Sequence, residues 1–127
     1  MTPWVQGISA TTIFTDDLAA TKRFYQEVFA VPIIFEDAQS AAFDFGNTVI
    51  NLLDSSQAAG LIGPGQVARQ TDGSRIQTTL TVEDVDAVCA MLVARGVNLI
   101  NGPMDRPWGI RTACFADPSG HVWEVAH

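Results

Sequence analysis

Apolar residues recur at helical spacing in two segments of the chain. In segment 16–29 the repeat follows the three- and four-residue spacing of an amphipathic helix, and in segment 84–95 it does so again. Asp16 or Asp17 can cap the first segment, Pro32 prevents its continuation, and Gly96 directly follows the second. The pattern predicts two helices, whose apolar faces carry Leu18, Thr21, Phe24, Tyr25, Val28 and Phe29 in the first and Val85, Val88, Cys89 and Leu92 in the second.

Short segments rich in β-branched and aromatic residues flank both helices. One precedes each helix, at 8–14 and 76–82, and is predicted to be a strand. Three more follow each helix, and in both cases the last two are joined by a turn sequence, Gly46-Asn47 or Asp117 to Gly120. The order β-α-β-β-β therefore occurs twice, with the later strands predicted at 33–36, 41–45, 48–53, 97–100, 110–115 and 121–125.

The two halves are related by nearly constant offsets. Asp17 corresponds to Asp84, 67 positions on, and Asn47 corresponds to Gly120, 73 positions on. The prediction is an α+β fold in which two tandem βαβββ modules form a curved mixed β-sheet cleft with the helices outside. The chain is expected to be a single domain over 1–127, with one module at about 5–54, another at about 75–127, and a glycine-rich linker at about 55–74 that can act as a flap.

Composition excludes several classes of protein. The 14 acidic and 7 basic residues give a net charge of −7, and no basic cluster is present to meet a phosphate backbone, so no nucleic-acid partner is expected. No apolar stretch reaches the roughly 18 residues of a membrane span, and the first residues resemble no export signal, so the expectation is a cytoplasmic protein without a membrane partner. Cys89 and Cys114 stand apart and are interpreted as core residues.

Several motifs resemble those of a known superfamily. They include Asp17-Leu18 followed by Arg23-Phe24-Tyr25 and Phe29, the segment from Asp84 to Val97, and above all the stretch from Pro107 to Glu124. On these motifs the chain is similar to the vicinal oxygen chelate superfamily of glyoxalases, bleomycin-resistance proteins, extradiol dioxygenases and fosfomycin-modifying enzymes. The resemblance implies a small-molecule ligand and a homodimer whose clefts combine modules of two subunits.

The resemblance also implies four metal-ligand positions, one on the first and one on the last strand of each module. Carried onto this sequence, they are Ala10, Asn51, Gln77 and Glu124. Ala10 has no donor atom, two of the others are amides, and none is histidine, so no metal cofactor is expected. Gln77 and Glu124 are the remaining candidates if a divalent metal does bind, whereas His121 and His127 are interpreted as surface residues. Glu124 can instead accept hydrogen bonds from a ligand, act as a general base, or be held by neighbouring groups.

The superfamily's metal-free members bind flat, often cationic antibiotics between aromatic walls. Aromatic residues are available here, and Trp108, between Pro107 and Gly109, is expected in a loop at the mouth of the cleft. Trp123 is expected to pack beneath a helix instead, because it alternates with Glu124. The candidate ligand-binding residues are Phe14, Phe43, Phe45, Asn51, Gln77, Trp108, Arg111 and Glu124.

Three functions are compatible with these residues. The favoured hypothesis is a metal-free binding protein of the bleomycin-resistance type that sequesters a planar or cationic compound. The alternative is a metal-dependent glyoxalase-type lyase or isomerase, or a dioxygenase, with a divergent ligand set, and a third is a subunit that serves only assembly. The catalytic residues of such an enzyme are not identifiable, and no Ser-His-Asp order or phosphate-binding loop is present.

Overall fold

The computed structural model describes residues 3–127, which divide into two compact units. The first extends to Val67 and the second runs from Ala68 to His127. Each unit contains one four-stranded mixed sheet and one main helix, which confirms the predicted α+β fold with a repeated β-α-β-β-β order. Within residues 3–127, no helix is long and apolar enough to cross a membrane.

The first unit follows the predicted order of elements. The elements are β1 Ala10–Thr15, α1 Leu18–Phe24, a π-helical turn Tyr25–Phe29, β2 Ile33–Glu36, β3 Ser40–Asp44 and β4 Val49–Asp54. The sheet has the strand order β1-β4-β3-β2, in which β1 runs parallel to β4 and the other neighbours are antiparallel.

The first helix is shorter than predicted because it changes its hydrogen-bonding pattern after Phe24. Asp17 caps it by accepting a hydrogen bond from the amide of Ala20 at 3.0 Å. The following π turn widens the helix and ends at Ala30, which has a left-handed φ of 56°. The helix is attached to β1 by a buried hydrogen bond of 2.9 Å between the hydroxyls of Thr15 and Thr21.

Aromatic rings fill the space between this helix and its sheet. Tyr25 is fully buried, and its ring centroid lies 5.1 Å from that of Phe29 and 5.6 Å from that of Phe43. Phe45 joins the group at 5.3 Å from Phe29. Such tilted and edge-on contacts stabilise the core beyond the area that they bury. The side of the sheet that carries Phe43 is therefore the side that carries the helix.

The predicted linker contains short helices. A 3₁₀ turn at Ser55–Gln57 is followed by α2 at Ala59–Ile62. Asp54 caps the turn, accepting hydrogen bonds from the hydroxyl and the amide of Ser56, and these bonds lower the pKa of its carboxyl group. These hydrogen bonds fix the direction in which the chain leaves β4. The side chain of Leu61 on α2 is 66% exposed.

The second unit repeats the architecture. Asp84 caps its helix by accepting a hydrogen bond from the amide of Ala87. The buried residues of this helix are Val85, Cys89 and Leu92. Its sheet order is β5-β8-β7-β6, with β5 parallel to β8. The elements are a 3₁₀ turn Gln70–Asp72, β5 Gln77–Thr81, α3 Val85–Ala94, β6 Leu99–Asp105, β7 Arg111–Ala116 and β8 Val122–Ala126.

Strand β6 continues beyond its predicted end at residue 100 and contains a bulge. The register against β7 shifts between Asn101 and Met104, which pair with Cys114 and Thr112. Gly102 lies in this bulge with a φ of 83°, and a Cβ atom there would lie 2.5 Å from the carbonyl oxygen of Thr112. Only glycine satisfies both the torsion angle and the close approach of the two backbones.

Candidate ligand-binding site

Each sheet has a face that does not carry its helix, called here the helix-free face. In the first unit, Thr15 and Phe43 point to the helix, so Thr12 and Asn51 lie on the helix-free face, and the two are direct neighbours across β1 and β4. In the second unit, Thr79 and Glu124 are the equivalent neighbours across β5 and β8. The two sheets therefore present matching polar pairs.

The chemistry of the polar pairs is a poor match for a metal site. Ala10 is exposed and pairs with Val49, not with Asn51. The β1 residue that pairs with Asn51 is Thr12, whose side chain carries a hydroxyl. Gln77 lies at the start of β5 opposite Val122, and Glu124 accepts a hydrogen bond of 2.9 Å from Thr79. Hydroxyls, amides and a single carboxylate are a poor donor set for a catalytic divalent ion. Among the described residues, no three His, Cys, Asp or Glu side chains gather as metal ligands.

A cavity of about 240 Å³ lies on the first sheet and contains one of these pairs. Thr12 and Asn51 supply its main polar side chains, and Phe35 and Leu61, both more than half exposed, stand at its edge. Ala42, which pairs with both Phe35 and Asn51, lies between them in the sheet. The lining contains no charged residue and consists of Thr12, Phe35, Ser40, Ala41, Ala42, Asn51, Leu52, Leu53 and Leu61.

The structure corrects the proposed role of two phenylalanines. Phe43 and Phe45 share a face as predicted, but it is the face beneath the helix, where they pack against Tyr25 and Phe29. Phe43 is fully buried and has no surface left for a ligand. Phe14 is half-buried on the helix-free side of β1, although it does not line the cavity.

Trp108 lies at the tip of the hairpin between β6 and β7, as the loop prediction implied. The amide of Gly109 donates to the carbonyl of Arg106 at 3.0 Å, which closes a four-residue turn with Pro107 at its favoured second position. Trp108 is 67% exposed, and the guanidinium carbon of Arg106 lies 5.7 Å from the centre of its ring. A cation of the protein itself therefore already lies close to this ring.

Arg111, one of the candidate ligand-binding residues, forms ion pairs within the second unit instead. Its Nε and Nη2 donate to both carboxylate oxygens of Asp86 on α3 at 2.9 Å, and its Nη1 donates to Asp105 at 3.0 Å. This corrects the proposed ligand-binding role, because a guanidinium with two carboxylate partners has little left to offer a ligand. The hydrogen bonds from Arg111 also lower the pKa of the Asp86 carboxyl group.

The Asp86 ion pair predicts a pH-dependent contribution to stability. Because the pKa of Asp86 is lower in the folded chain than in the unfolded chain, this contribution is fully present above about pH 4 and is lost as the pH falls through the folded value. We expect Arg111→Gln to lower the urea midpoint at pH 7 and to differ less from wild type near pH 2. Arg75→Gln, which removes the same charge from an exposed position, is the control. An equal destabilisation by Arg111→Gln at both pH values would contradict this role.

The two histidines contact neighbouring groups of the protein. The ring Nδ1 of His121 lies 3.2 Å from the buried carboxylate of Asp117, and that of His127 lies 2.9 Å from the carbonyl oxygen of Val82. Their positions in the final turn and at the last residue leave them outside the cavity lining.

Sequence reasoning missed four residues that the structure brings into or near these sites. Thr12 and Thr79 are separated by the same offset of 67 as Asp17 and Asp84, but Ala10 and Gln77 are too, so the repeat alone does not choose between these two pairs. Leu61 and Arg106 are not identified by the repeat. Leu61 lies in the predicted linker, and the position of Arg106 depends on a bulge that the strand pattern does not show.

The two repeated units and their sites are those of a glyoxalase-like α+β protein. Comparison with known proteins places the chain in the same class. The model of the Glyoxalase/Bleomycin resistance protein/Dioxygenase superfamily matches residues 7–125. The uncharacterized protein YraH of Bacillus subtilis is 30% identical over 117 residues, which cover 89% of this chain and 91% of YraH. The chain belongs to this superfamily.

Solved structures share the fold at lower identity. A glyoxalase/bleomycin resistance protein/dioxygenase from Nocardioides superposes with a TM-score of 0.88 at 23% identity, covering 98% of this chain and 85% of that one. Lactoylglutathione lyase from Agrobacterium tumefaciens gives a TM-score of 0.77 at 22% identity, with coverages of 96% and 93%. At these identities the likeness establishes the fold, and the function has to be argued from the site.

Proposed function

We propose that this protein is a metal-free binding protein of the bleomycin-resistance type that holds a small, flat, neutral molecule without transforming it. The observation that carries the proposal is the uncharged cavity on the helix-free face of the first sheet. Ligand sites are typically concave and apolar, with a few polar groups that orient the ligand, and this cavity has that composition.

The polar groups of the cavity favour recognition of an amide or a carbonyl. The side chain of Asn51 offers both a carbonyl acceptor and an NH₂ donor. The hydroxyl of Thr12 beside it can donate or accept a hydrogen bond. Phe35 supplies an aromatic surface at the edge. A volume of about 240 Å³ lies just below the roughly 300 Å³ at which typical ligand pockets begin, so a compact, single-ring ligand is favoured.

The charge of the lining argues against the cationic ligands of the initial hypothesis. A cation transferred from water into an uncharged, mostly apolar cavity loses hydration without gaining a partner. The overall charge of −7 acts on any cation near the surface, but that attraction is screened within about 10 Å at 0.1 M salt. The lining also lacks His, Cys, Lys, Asp and Glu. Its hydroxyl groups belong to Thr12 and Ser40, and the Ser40 hydroxyl donates to Asp37, a weak base because the hydrogen bond from the Gln39 amide lowers the pKa of its carboxyl group. This composition supports binding without catalysis.

Calorimetric titration with two ligands of one shape and different charge tests this proposal. Benzamide is expected to bind with a Kd on the order of 1 mM or tighter, and benzamidinium at least about fivefold more weakly, because only the cation loses hydration without compensation. Asn51→Leu is expected to weaken benzamide about tenfold, because it leaves the ligand's amide without a partner. Asn98→Leu, at an exposed position outside the cavity, is the matched control. Tighter binding of the cation, or benzamide affinity unchanged by Asn51→Leu, would contradict the proposal.

A further inference from the structure

Arg106 in the second unit is a cation whose recorded partners are all neutral. Its Nε donates to the hydroxyl of Thr112 at 2.8 Å, and its Nη2 makes a longer contact of 3.4 Å with the side-chain oxygen of Asn101. Within residues 3–127, no carboxylate lies within 4.0 Å of its guanidinium. Arg111 makes a clear contrast, because two carboxylates bind it. Elsewhere in the described part of the chain, Arg23 and Arg75 also lack an ion pair but are exposed, whereas Arg106 is half-buried.

The position of Arg106 is fixed at both its backbone and its side chain. Its amide donates to the carbonyl of Ile110 at 2.7 Å, and its carbonyl accepts from Gly109, so both backbone groups are held in the hairpin. The side-chain anchor, Thr112, is fully buried. A guanidinium held in this way has little conformational freedom left to lose when a ligand binds, so the entropic cost of binding is lower.

The guanidinium still has donors to offer. Of its five N–H groups, one is used by Thr112 and one contacts Asn101, so three remain, including both on Nη1. Adjacent N–H groups of arginine match the two oxygens of a carboxylate. The exposed indole of Trp108 lies against the same guanidinium and provides a flat apolar surface next to it.

We propose that Arg106, held by Thr112 and Asn101, forms a binding site for small aromatic monocarboxylates together with Trp108. Arg106 binds the carboxylate through its remaining donors, and Trp108 contacts the ring of the ligand. This site is separate in its residues and in its ligand charge from the neutral cavity of the first sheet, so it goes beyond the function proposed above.

The surrounding charge favours one negative charge over several. Glu124 lies on the same helix-free face, because it pairs with Cys114, two residues along β7 from Thr112. A carboxylate in this diagonal position repels a second anion, and the repulsion grows with the ligand's charge. Inorganic phosphate, which carries more than one negative charge on average near pH 7 and has no ring, is therefore the less suitable oxyanion.

Nuclear magnetic resonance of the arginine Nε–H groups provides the test, with the Arg106 signal assigned by its loss in Arg106→Gln. We expect benzoate to shift this signal saturably, with a Kd in the millimolar range, and acetate and inorganic phosphate to bind at least about threefold more weakly. Arg106→Gln is expected to weaken benzoate at least about tenfold while leaving benzamide binding intact. Arg75→Gln, the same change at an exposed position, is expected to retain benzoate binding.

Three results would overturn the assignment. They are a benzoate affinity that survives Arg106→Gln, phosphate or acetate binding as tightly as benzoate, and an Arg106 signal that no benzoate concentration moves. If Arg106→Gln does not fold, Arg106→Lys keeps the charge but lacks the paired donors, and a benzoate affinity equal to that of wild type then contradicts the proposal.

Discussion

Gly102→Ala is expected to lower the free energy of unfolding by about 3 kcal/mol or more. The alanine Cβ would lie 2.5 Å from the carbonyl oxygen of Thr112 and 2.7 Å from the Cα of Ala113, both backbone atoms of β7 that cannot rotate away. The substitution also forces a non-glycine residue to a φ of 83°. Steric overpacking and an unfavourable torsion angle each cost about 1–3 kcal/mol, and here they act together.

Gly96→Ala separates these two effects. Gly96 has a similar φ of 85°, but a Cβ there would meet nothing within 4 Å, so only the torsional cost of about 1 kcal/mol is expected. Urea unfolding followed by tryptophan fluorescence measures both variants. A loss for Gly102→Ala no larger than that for Gly96→Ala would show that β6 and β7 do not approach as closely as described.

Ala42→Phe is expected to reduce benzamide binding at least about 30-fold. Ala42 lies on the helix-free face of β3, between Phe35 on β2 and Asn51 on β4, and it lines the cavity. A phenyl ring at this position occupies the space of the ligand, and a loss of about 2 kcal/mol corresponds to this fold-change. Since the new side chain points into a cavity, the free energy of unfolding is expected to change by less than about 1.5 kcal/mol.

Ala19→Phe controls for the added hydrophobic ring, because Ala19 is exposed on α1 and does not line the cavity. Calorimetric titration of both variants with benzamide is the measurement. The cavity would not be the binding site if Ala42→Phe, shown to be folded, bound benzamide as wild type does.

Local patterns predicted the main helices and strands of the fold but not the short helices of the linker. The helical repeat in 84–95 and its capping residue Asp84 gave a helix whose observed range is Val85–Ala94. The first helix was less accurate, because its apolar spacing does not distinguish an α-helix from the π turn that begins at Tyr25. That difference depends on how the rings of Tyr25 and Phe29 pack on Phe43, a contact between distant parts of the chain.

The candidate site was less predictable because its chemistry depends on which face of a strand each residue occupies. Strand alternation correctly predicted that Phe43 and Phe45 share one face of their sheet. It could not show that this is the face on which the helix packs. Arg111 illustrates the same limit, since its partner Asp86 is 25 positions away in the sequence. Arg106, which the sequence did not single out, follows a strand whose register is altered by a bulge at Gly102, and no strand pattern contains that information.

Binding of a small neutral ligand on the helix-free face of the first sheet is tested most directly by mapping backbone amide signals during a benzamide titration. The largest saturable shifts are expected at Thr12, Ala42 and Asn51, with little change at Thr79 and Glu124 in the second sheet. Shifts concentrated in the second unit, or no saturable shift at any residue, would contradict binding at this face.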